Sequence, residues 1–309
     1  RRILRVKFQF GLFDKPSPAK RKLAGNHTIF GSRAHRDIAR EAVRKSLILL
    51  KNEKNLLPLD KQTRLIVAGK NAHNRGYQCG GFTIAWQGVH DNESVVGGTS
   101  IWEGIKSMAP NAELSNDRLG RDADPHKHEI GIVVIGERPY AEMLGDIRVA
   151  GLSKGKIRGP LSLEETAHWG YDIGLTDKMA YAEMPIMDKG PYGTHLYLHE
   201  LHPEDLQTIQ TITAKGIPVV VILISGRPLV VNQELEASSA FVVAWLPGSE
   251  GKGVADVIFG DYDFHGKLSF SWPRYDDENW NIGDDHYNPL FPYGYGLRYT
   301  KEVQCHLLY

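Results

Sequence analysis

Residues 217–224 read IPVVVILI, a run with no polar side chain and no alternation. A strand solvated on one face alternates polar with apolar residues, whereas a strand covered on both faces has no reason to. Three further runs are likewise continuous rather than alternating, the first after a leading Arg64: 64–69 (RLIVAG), 130–136 (IGIVVIG) and 240–246 (AFVVAWL). A shorter strand candidate, KLSFS, lies at 267–271. Helical spacing separates these runs at 99–108, 203–215 and 250–259. Strands alternating with helices predict an α/β fold, a three-layer αβα sandwich around a mostly parallel, doubly wound sheet. In such sheets ligands bind beyond the carboxyl ends of the strands, and glycine-rich loops fall there in this chain.

The bulk composition narrows the function classes. The chain has 309 residues, 41% hydrophobic and 24% charged, enough for one large domain or two smaller ones with a real core. Lys plus Arg is 37 and Asp plus Glu is 37, so the formal net charge is zero, which argues against nucleic acid as a partner. No apolar run approaches the ~20 residues of a membrane span. Two cysteines, Cys79 and Cys305, give neither a disulfide scaffold nor a cysteine zinc site, although the two could pair with each other. The opening RRILRVKFQF has no Met and no secretory apolar core, so the compartment is not readable. So abrupt a start suggests a processed or truncated polypeptide, or part of one.

Residues 1–31 read as the end of a preceding unit, with helical spacing over RRILRVKFQFGLF and a linker in DKPSPAKRK. An amphipathic helix is expected over 32–51, with Ser32 as its N-cap and Ile38, Ala42, Ser46 and Leu49 on one face. The main domain then runs over 32–298, followed by a tail at 299–309. Within it, 149–202 breaks the alternation: rich in Gly, Lys, His, Tyr and Met, it has no sustained period and reads as a long irregular insertion.

The candidate chemistry sits after the strands. Glu250 follows an apolar run at the start of a helical pattern, between glycines 248, 251 and 253. Glycines let the backbone turn sharply and let a substrate approach closely, and a partly buried carboxyl can act as a general acid. The plainer alternative is an acid favoured by a helix N-terminus. In GYQCGGFTIAWQG (76–88), Phe82 and Trp86 either offer faces for stacking on a sugar ring or plug core space. IGERPYAEMLGD (135–146) carries Glu137, Tyr140, Glu142 and Asp146, which read better as an ion-paired loop than as an acid/base pair. Arg227 in SGRPLV (225–230) suits a bidentate anchor for a neighbouring carboxylate. The histidines of DPHKHE (124–129) and THLYLHELH (194–202) lack a helix with a third ligand and read as solvated loop residues, and no metal site is expected. GxGxxG, GxSxG and HExxH are all missing, so neither a dinucleotide cofactor nor an α/β-hydrolase elbow is indicated.

Four segments, in order, resemble the carboxyl-terminal sandwich domain of glycoside hydrolase family 3, in its exo-β-glucanase and β-glucosidase branch. They are HRDIAREAVRKSLILLKNEKNLLPL (35–59), GYQCGGFTIAWQG (76–88), AWLPGSEGKGVADVIFGDYDFHGKLSFSWPR (244–274) and DDHYNPLFPYGYGL (284–297). The opening residues resemble the last helix of the preceding (β/α)8 barrel and its linker. The resemblance implies a retaining hydrolase of β-glucans or β-glucosides that needs no cofactor. Glu250 would be the general acid/base, Trp86 one wall of an aromatic clamp, and Phe82 its neighbour where relatives often carry Trp. The nucleophilic Asp would lie on a barrel that these residues do not contain, supplied by the same polypeptide or a partner chain. A secreted or periplasmic location follows from the resemblance alone. Two rivals stand beside it: a non-catalytic carbohydrate-binding or assembly module, and a nucleotide-binding α/β domain that lacks the phosphate loop it would need.

Overall fold

The computed structural model describes residues 1–141, 196–276 and 282–299. Most of the irregular insertion, together with Glu142, Asp146, His195, Cys305 and most of the tail, lies outside the described residues. The chain divides into two compact units, Arg1–Ile38 and Ala39–Tyr309. In the first, helix α1 spans Arg2–Gln9 and buries none of its residues. Helix α2, Arg33–Ser46, begins there and ends in the second unit.

The helix expected over 32–51 is shorter than its pattern. It stops at Ser46, and strand β1 takes Ile48–Asn52. Ile38 is 66% exposed, and Leu49 belongs to the sheet, where it pairs with Val242. The reason lies in Leu47–Leu50, four consecutive apolar residues that are all buried. A helix would turn some of them outward, whereas a strand covered on both faces buries them all.

The remaining strands are β2 (Leu65–Ala68), β3 (Glu113–Leu114), β4 (Ile130–Gly136), β5 (Val219–Ile224) and β6 (Ala240–Trp245). The sheet order is β1-β6-β5-β4-β2-β3, parallel except for β1, which runs antiparallel to β6 at the edge. Successive side chains go to opposite faces. Val67, Val134, Ile222 and Val242 pack towards helices α4 (Ile101–Met108) and α8 (Gly251–Ile258). Ile66, Val133, Val221 and Phe241 pack towards α6 (Pro203–Thr213) and the extended stretches around Leu229 and Trp272. Three short helices complete the set among the described residues: α3 (Arg75–Cys79), α5 (Leu198–Leu201) and α7 (Asn232–Ala237). The strand expected at 267–271 does not form. Leu268 and Trp272 instead plug the second face, and the Trp272 indole N–H donates to the Leu229 carbonyl at 2.8 Å. No helix among the described residues is long and apolar enough to cross a membrane.

Sheet order fixes where a site can form. From β2 the chain crosses to β3 on one side, then returns to β4 on the other. The crevice beyond the carboxyl ends of β2 and β4 is therefore a topological switch point. Close packing of α4 against α8 then draws the loop after β6 towards it. A Cβ on Gly251 would stand 2.3 Å from the Ser100 carbonyl oxygen, and one on Gly104 2.7 Å from that of Gly251. Gly251→Ala is expected to cost about 1–3 kcal/mol of stability by forcing these two helices apart. Denaturant titration checks this, and an unchanged midpoint would show that the contact has slack.

Candidate functional site

Glu250 occupies the N-cap position of α8, yet its side chain caps nothing on that helix. The position still suits an acid favoured by a helix N-terminus, but not one retained for a capping bond. The residue is only 5% exposed, and its carboxylate accepts a hydrogen bond from the Ser249 hydroxyl at 3.0 Å. Its backbone N–H donates to the Pro247 carbonyl at 3.1 Å, and its carbonyl accepts from the Gly253 N–H at 2.8 Å. The turn is thus closed locally before any longer contact is made.

The glycines around it do different jobs from the one expected of them. Gly248, at φ +60°, supplies a left-handed turn and has open space where a Cβ would stand. Gly251 lies against the Ser100 backbone, and Gly253 against Val43 and the Arg40 carbonyl. Only the first leaves room beside the acid; the other two let α8 dock.

Gln78 on α3, which lies within GYQCGGFTIAWQG but has no role suggested by its residue type, joins this turn to the segment bearing the aromatics. It is fully buried. Its side-chain oxygen accepts from the Ile101 N–H at 2.8 Å, while its amide donates to the carbonyls of Thr99 (3.1 Å) and Gly248 (3.0 Å). Its own carbonyl accepts from the Gly248 N–H at 2.9 Å. Asn74 caps α3 by accepting from the Tyr77 N–H at 2.9 Å.

Beyond α3 the chain makes a tight loop. The Phe82 N–H donates to the Trp86 carbonyl at 2.9 Å, and the Ala85 N–H to the Thr83 carbonyl at 2.8 Å. That places Ile84, at φ +66°, at the centre of a strained three-residue turn, with Phe82 at φ +56°. Left-handed backbone at a β-branched residue costs of order 1–3 kcal/mol and recurs at functional sites. Phe82 and Ile84 are 68% and 69% exposed, while Trp86 is half-buried. Phe82 therefore does not plug the core. The loop rests on residues 137–141: the Ala141 N–H donates to the Gln87 side chain at 3.0 Å, and a Cβ on Gly81 would meet the Tyr140 carbonyl at 2.0 Å.

The 137–141 segment is anchored in turn. Arg227 grips the Glu137 carboxylate through Nε (2.8 Å) and Nη2 (2.7 Å), and the hydroxyls of Ser225 (2.7 Å) and Tyr140 (2.9 Å) donate to its other oxygen. Glu137 and Arg227 thus form the expected ion pair, across the ends of β4 and β5. A second buried group lies nearby. Asp205 accepts from Lys70 at 2.5 Å and from the Gly136 N–H at 3.0 Å. Glu234, fully buried on α7, has neither carboxylate oxygen in good hydrogen-bond geometry.

Burial, reinforced by the Asp205 charge, pushes the Glu234 carboxyl up to about 7 from an ordinary 4.5. The folded chain therefore holds a proton there that the unfolded chain releases, and stability falls as pH rises from the unfolded value through about 7. Glu234→Gln, which cannot ionise, is expected to raise stability at pH 8 by about 3 kcal/mol and to leave it unchanged near pH 4. Denaturation measured at both pH values checks this; an equal effect at both would remove ionisation as the cause.

The histidines differ from expectation. His128 is buried between the Asp124 N–H (3.0 Å) and Glu113 (3.2 Å), and His202 is buried beside Glu204 at 3.4 Å, so neither is a solvated loop residue. The His128 ring meets a backbone N–H on one nitrogen and a carboxylate on the other, and the His202 ring meets a carboxylate. Among the described residues no group of three or more His, Cys, Asp or Glu is placed to hold a metal. A basic hollow of about 500 Å³ lined by Arg64, Lys106 and Lys127 opens at the opposite, amino end of the sheet. Lys106 there already donates to the Pro110 and Ala112 carbonyls, both at 2.8 Å.

A parallel sheet with one antiparallel edge strand, carrying glycine-shaped loops at its carboxyl edge, defines a three-layer α/β sandwich domain. The model of the glycosyl hydrolase family 3 C-terminal domain matches residues 47–299, and the chain belongs to that family. A lysosomal beta glucosidase of Dictyostelium discoideum is 28% identical across 97% of this chain and 34% of its own length. A beta-xylosidase of Formosa agariphila is 31% identical across 97% of this chain and 38% of its own length. The crystal structure of an exo-1,3/1,4-beta-glucanase from a Pseudoalteromonas species superposes with a TM-score of 0.74 at 38% identity, covering 96% of this chain and 33% of that one. This chain thus spans 33–38% of the length of these relatives.

Proposed function

We propose that this chain is the sandwich part of a retaining β-glucosidase or exo-β-glucanase, with Glu250 as general acid/base and Trp86 and Phe82 as a wall of the sugar site. The observation that carries the reading is Glu250 itself: a buried carboxylate on a turn where it caps no helix, tied through Gln78 to the aromatic loop. An aspartate on a barrel domain attacks the anomeric carbon, while the Glu250 carboxylic acid protonates the departing oxygen. The Glu250 carboxylate then takes a proton from water, which attacks the same carbon and frees the aspartate. Two displacements retain configuration, and the two carboxyls stand ~5 Å apart.

On this reading 1–31 is the end of the barrel with its linker, 32–298 the sandwich, and 299–309 a tail. The barrel comes from the same polypeptide or from a partner chain. In support, the first unit exposes Ile3, Phe8 and Phe10 by 74%, 68% and 66%, apolar surface that suits a covering domain. The names of the relatives favour a β-glucan or β-glucoside substrate, and a β-xyloside is the variant of that class. Trp86→Ala in the two-domain protein is expected to raise KM about tenfold with a smaller change in kcat, from lost ring stacking. An unchanged KM would remove Trp86 from the sugar site. The exposed Phe82–Ile84 platform also suits a second reading, a carbohydrate-binding module without catalysis. Calorimetric titration of the 309 residues with short β-glucans separates the two when run beside activity of the two-domain protein.

A further inference from the structure

We infer that Gln78 is the positioning residue of the acid turn: it sets where the Glu250 carboxyl stands, and it couples that position to the aromatic loop. The inference rests on the acid/base reading of Glu250. Gln78 grips Gly248, two residues before the acid, at both backbone groups: its carbonyl accepts the Gly248 N–H at 2.9 Å, and its side-chain amide donates to the Gly248 carbonyl at 3.0 Å. It reaches the other side of Glu250 through Thr99. The Thr99 carbonyl accepts from Gln78 Nε2 at 3.1 Å and from the Gly251 N–H at 3.0 Å, while the Thr99 N–H donates to the Ser249 carbonyl at 2.9 Å. The peptide groups before and after Glu250 are therefore both held, directly or through one residue, by a single buried side chain.

Three backbone partners also fix the amide's orientation. Ile101 presents an N–H, so the side-chain oxygen must face it; Thr99 and Gly248 present carbonyls, so the NH2 must face them. A flipped amide would set donor against donor and acceptor against acceptor. Phe82 and Trp86 lie in the loop that directly follows α3, so a movement of α3 would shift acid and aromatics together. A glutamine serves here because it offers one acceptor and two donors on an uncharged head. Glutamate would put a charge against two carbonyl oxygens, and methionine would fill the space while bonding to none of the three groups.

The test uses the two-domain enzyme and compares Gln78→Met and Gln78→Glu with Glu250→Gln. Substrates are an alkyl β-glucoside, whose poor leaving group needs protonation, and a dinitrophenyl β-glucoside, whose leaving group does not. Misplacing a catalytic group by about 1 Å costs about 10²-fold. Gln78→Met is expected to lose about that factor in kcat/KM on the alkyl glucoside and less than about threefold in glycosylation by the dinitrophenyl glucoside. Adding it to Glu250→Gln is expected to cost little more on the alkyl glucoside, because both act through one group. Gln78→Glu keeps the acceptor for Ile101, and relative to the unsubstituted enzyme it should recover as pH falls and its carboxyl gains a proton to donate. If Gln78→Met does not fold, Gln78→Glu carries the same comparison. A loss equal on both substrates, or confined to KM, overturns the inference while leaving the acid/base reading intact if Glu250→Gln discriminates between them. If Glu250→Gln shows no discrimination, both fall.

Discussion

Glu250→Gln in the two-domain protein is expected to slow hydrolysis of cellobiose or laminaribiose by about 10²–10⁴-fold, the usual contribution of a positioned general acid. The amide keeps the shape of the side chain but has no proton to give to a departing sugar hydroxyl. An aryl glucoside whose phenolate leaves unaided should pass through the first step nearly as fast as before. It should then stall at the second, where water needs a base, so the glycosyl-enzyme accumulates. Steady-state rates across a series of leaving groups, with a burst measurement on the best of them, check both halves. Unchanged turnover of the disaccharides would remove Glu250 from the chemistry.

Arg227→Leu is expected to be the most damaging substitution to stability, at about 3–5 kcal/mol. The Glu137 side chain is only 2% exposed, and its charge is balanced by a guanidinium bonding through two nitrogens, at 2.8 and 2.7 Å. Removing the cation takes away both guanidinium bonds to one oxygen of a buried carboxylate, while the Ser225 and Tyr140 hydroxyls still donate to the other. Because residues 137–141 seat the aromatic loop through Gln87, the site should loosen with the fold. Denaturant titration of the 309-residue chain measures the cost, and pairing the change with Glu137→Gln should restore part of it. A loss below about 1 kcal/mol would mean that water screens the pair.

The sheet was legible because burial on both faces strips polar residues out of a strand. Residues 217–224 and 240–246 carry that mark, and β5 and β6 fall within them. Strand β1 was hidden because its apolar run continues directly from α2, and the helical spacing of Ile38 and Ala42 could be extended through it. Only pairing with β6, nearly two hundred residues away, decides the matter. Likewise KLSFS alternates as a strand does, yet its apolar members plug a face.

Within the candidate site the turn bearing Glu250 was legible and its setting was not. Three glycines mark the Glu250 turn in the sequence, but the pattern cannot say that Gly251 and Gly253 serve helix docking and only Gly248 leaves space. Gln78 lies within GYQCGGFTIAWQG, but nothing in that segment told its role. It is one polar residue on a five-residue helix, and its side-chain amide bonds to backbone groups 21 and 170 residues away. Backbone partners have no residue identity, so no motif records them. His128 and His202 illustrate the same limit, since a loop histidine looks alike in sequence whether it is solvated or buried against a carboxylate.

The most direct test of Glu250 as the acid/base of a retaining enzyme is Glu250→Ala turning over a dinitrophenyl β-glucoside in the presence of azide, with the product identified by proton NMR. Azide needs no base, and on this account it attacks the glycosyl-enzyme in place of water. Turnover should accelerate, and the product should be the β-glucosyl azide. No acceleration, or a product of α configuration, would contradict the assignment.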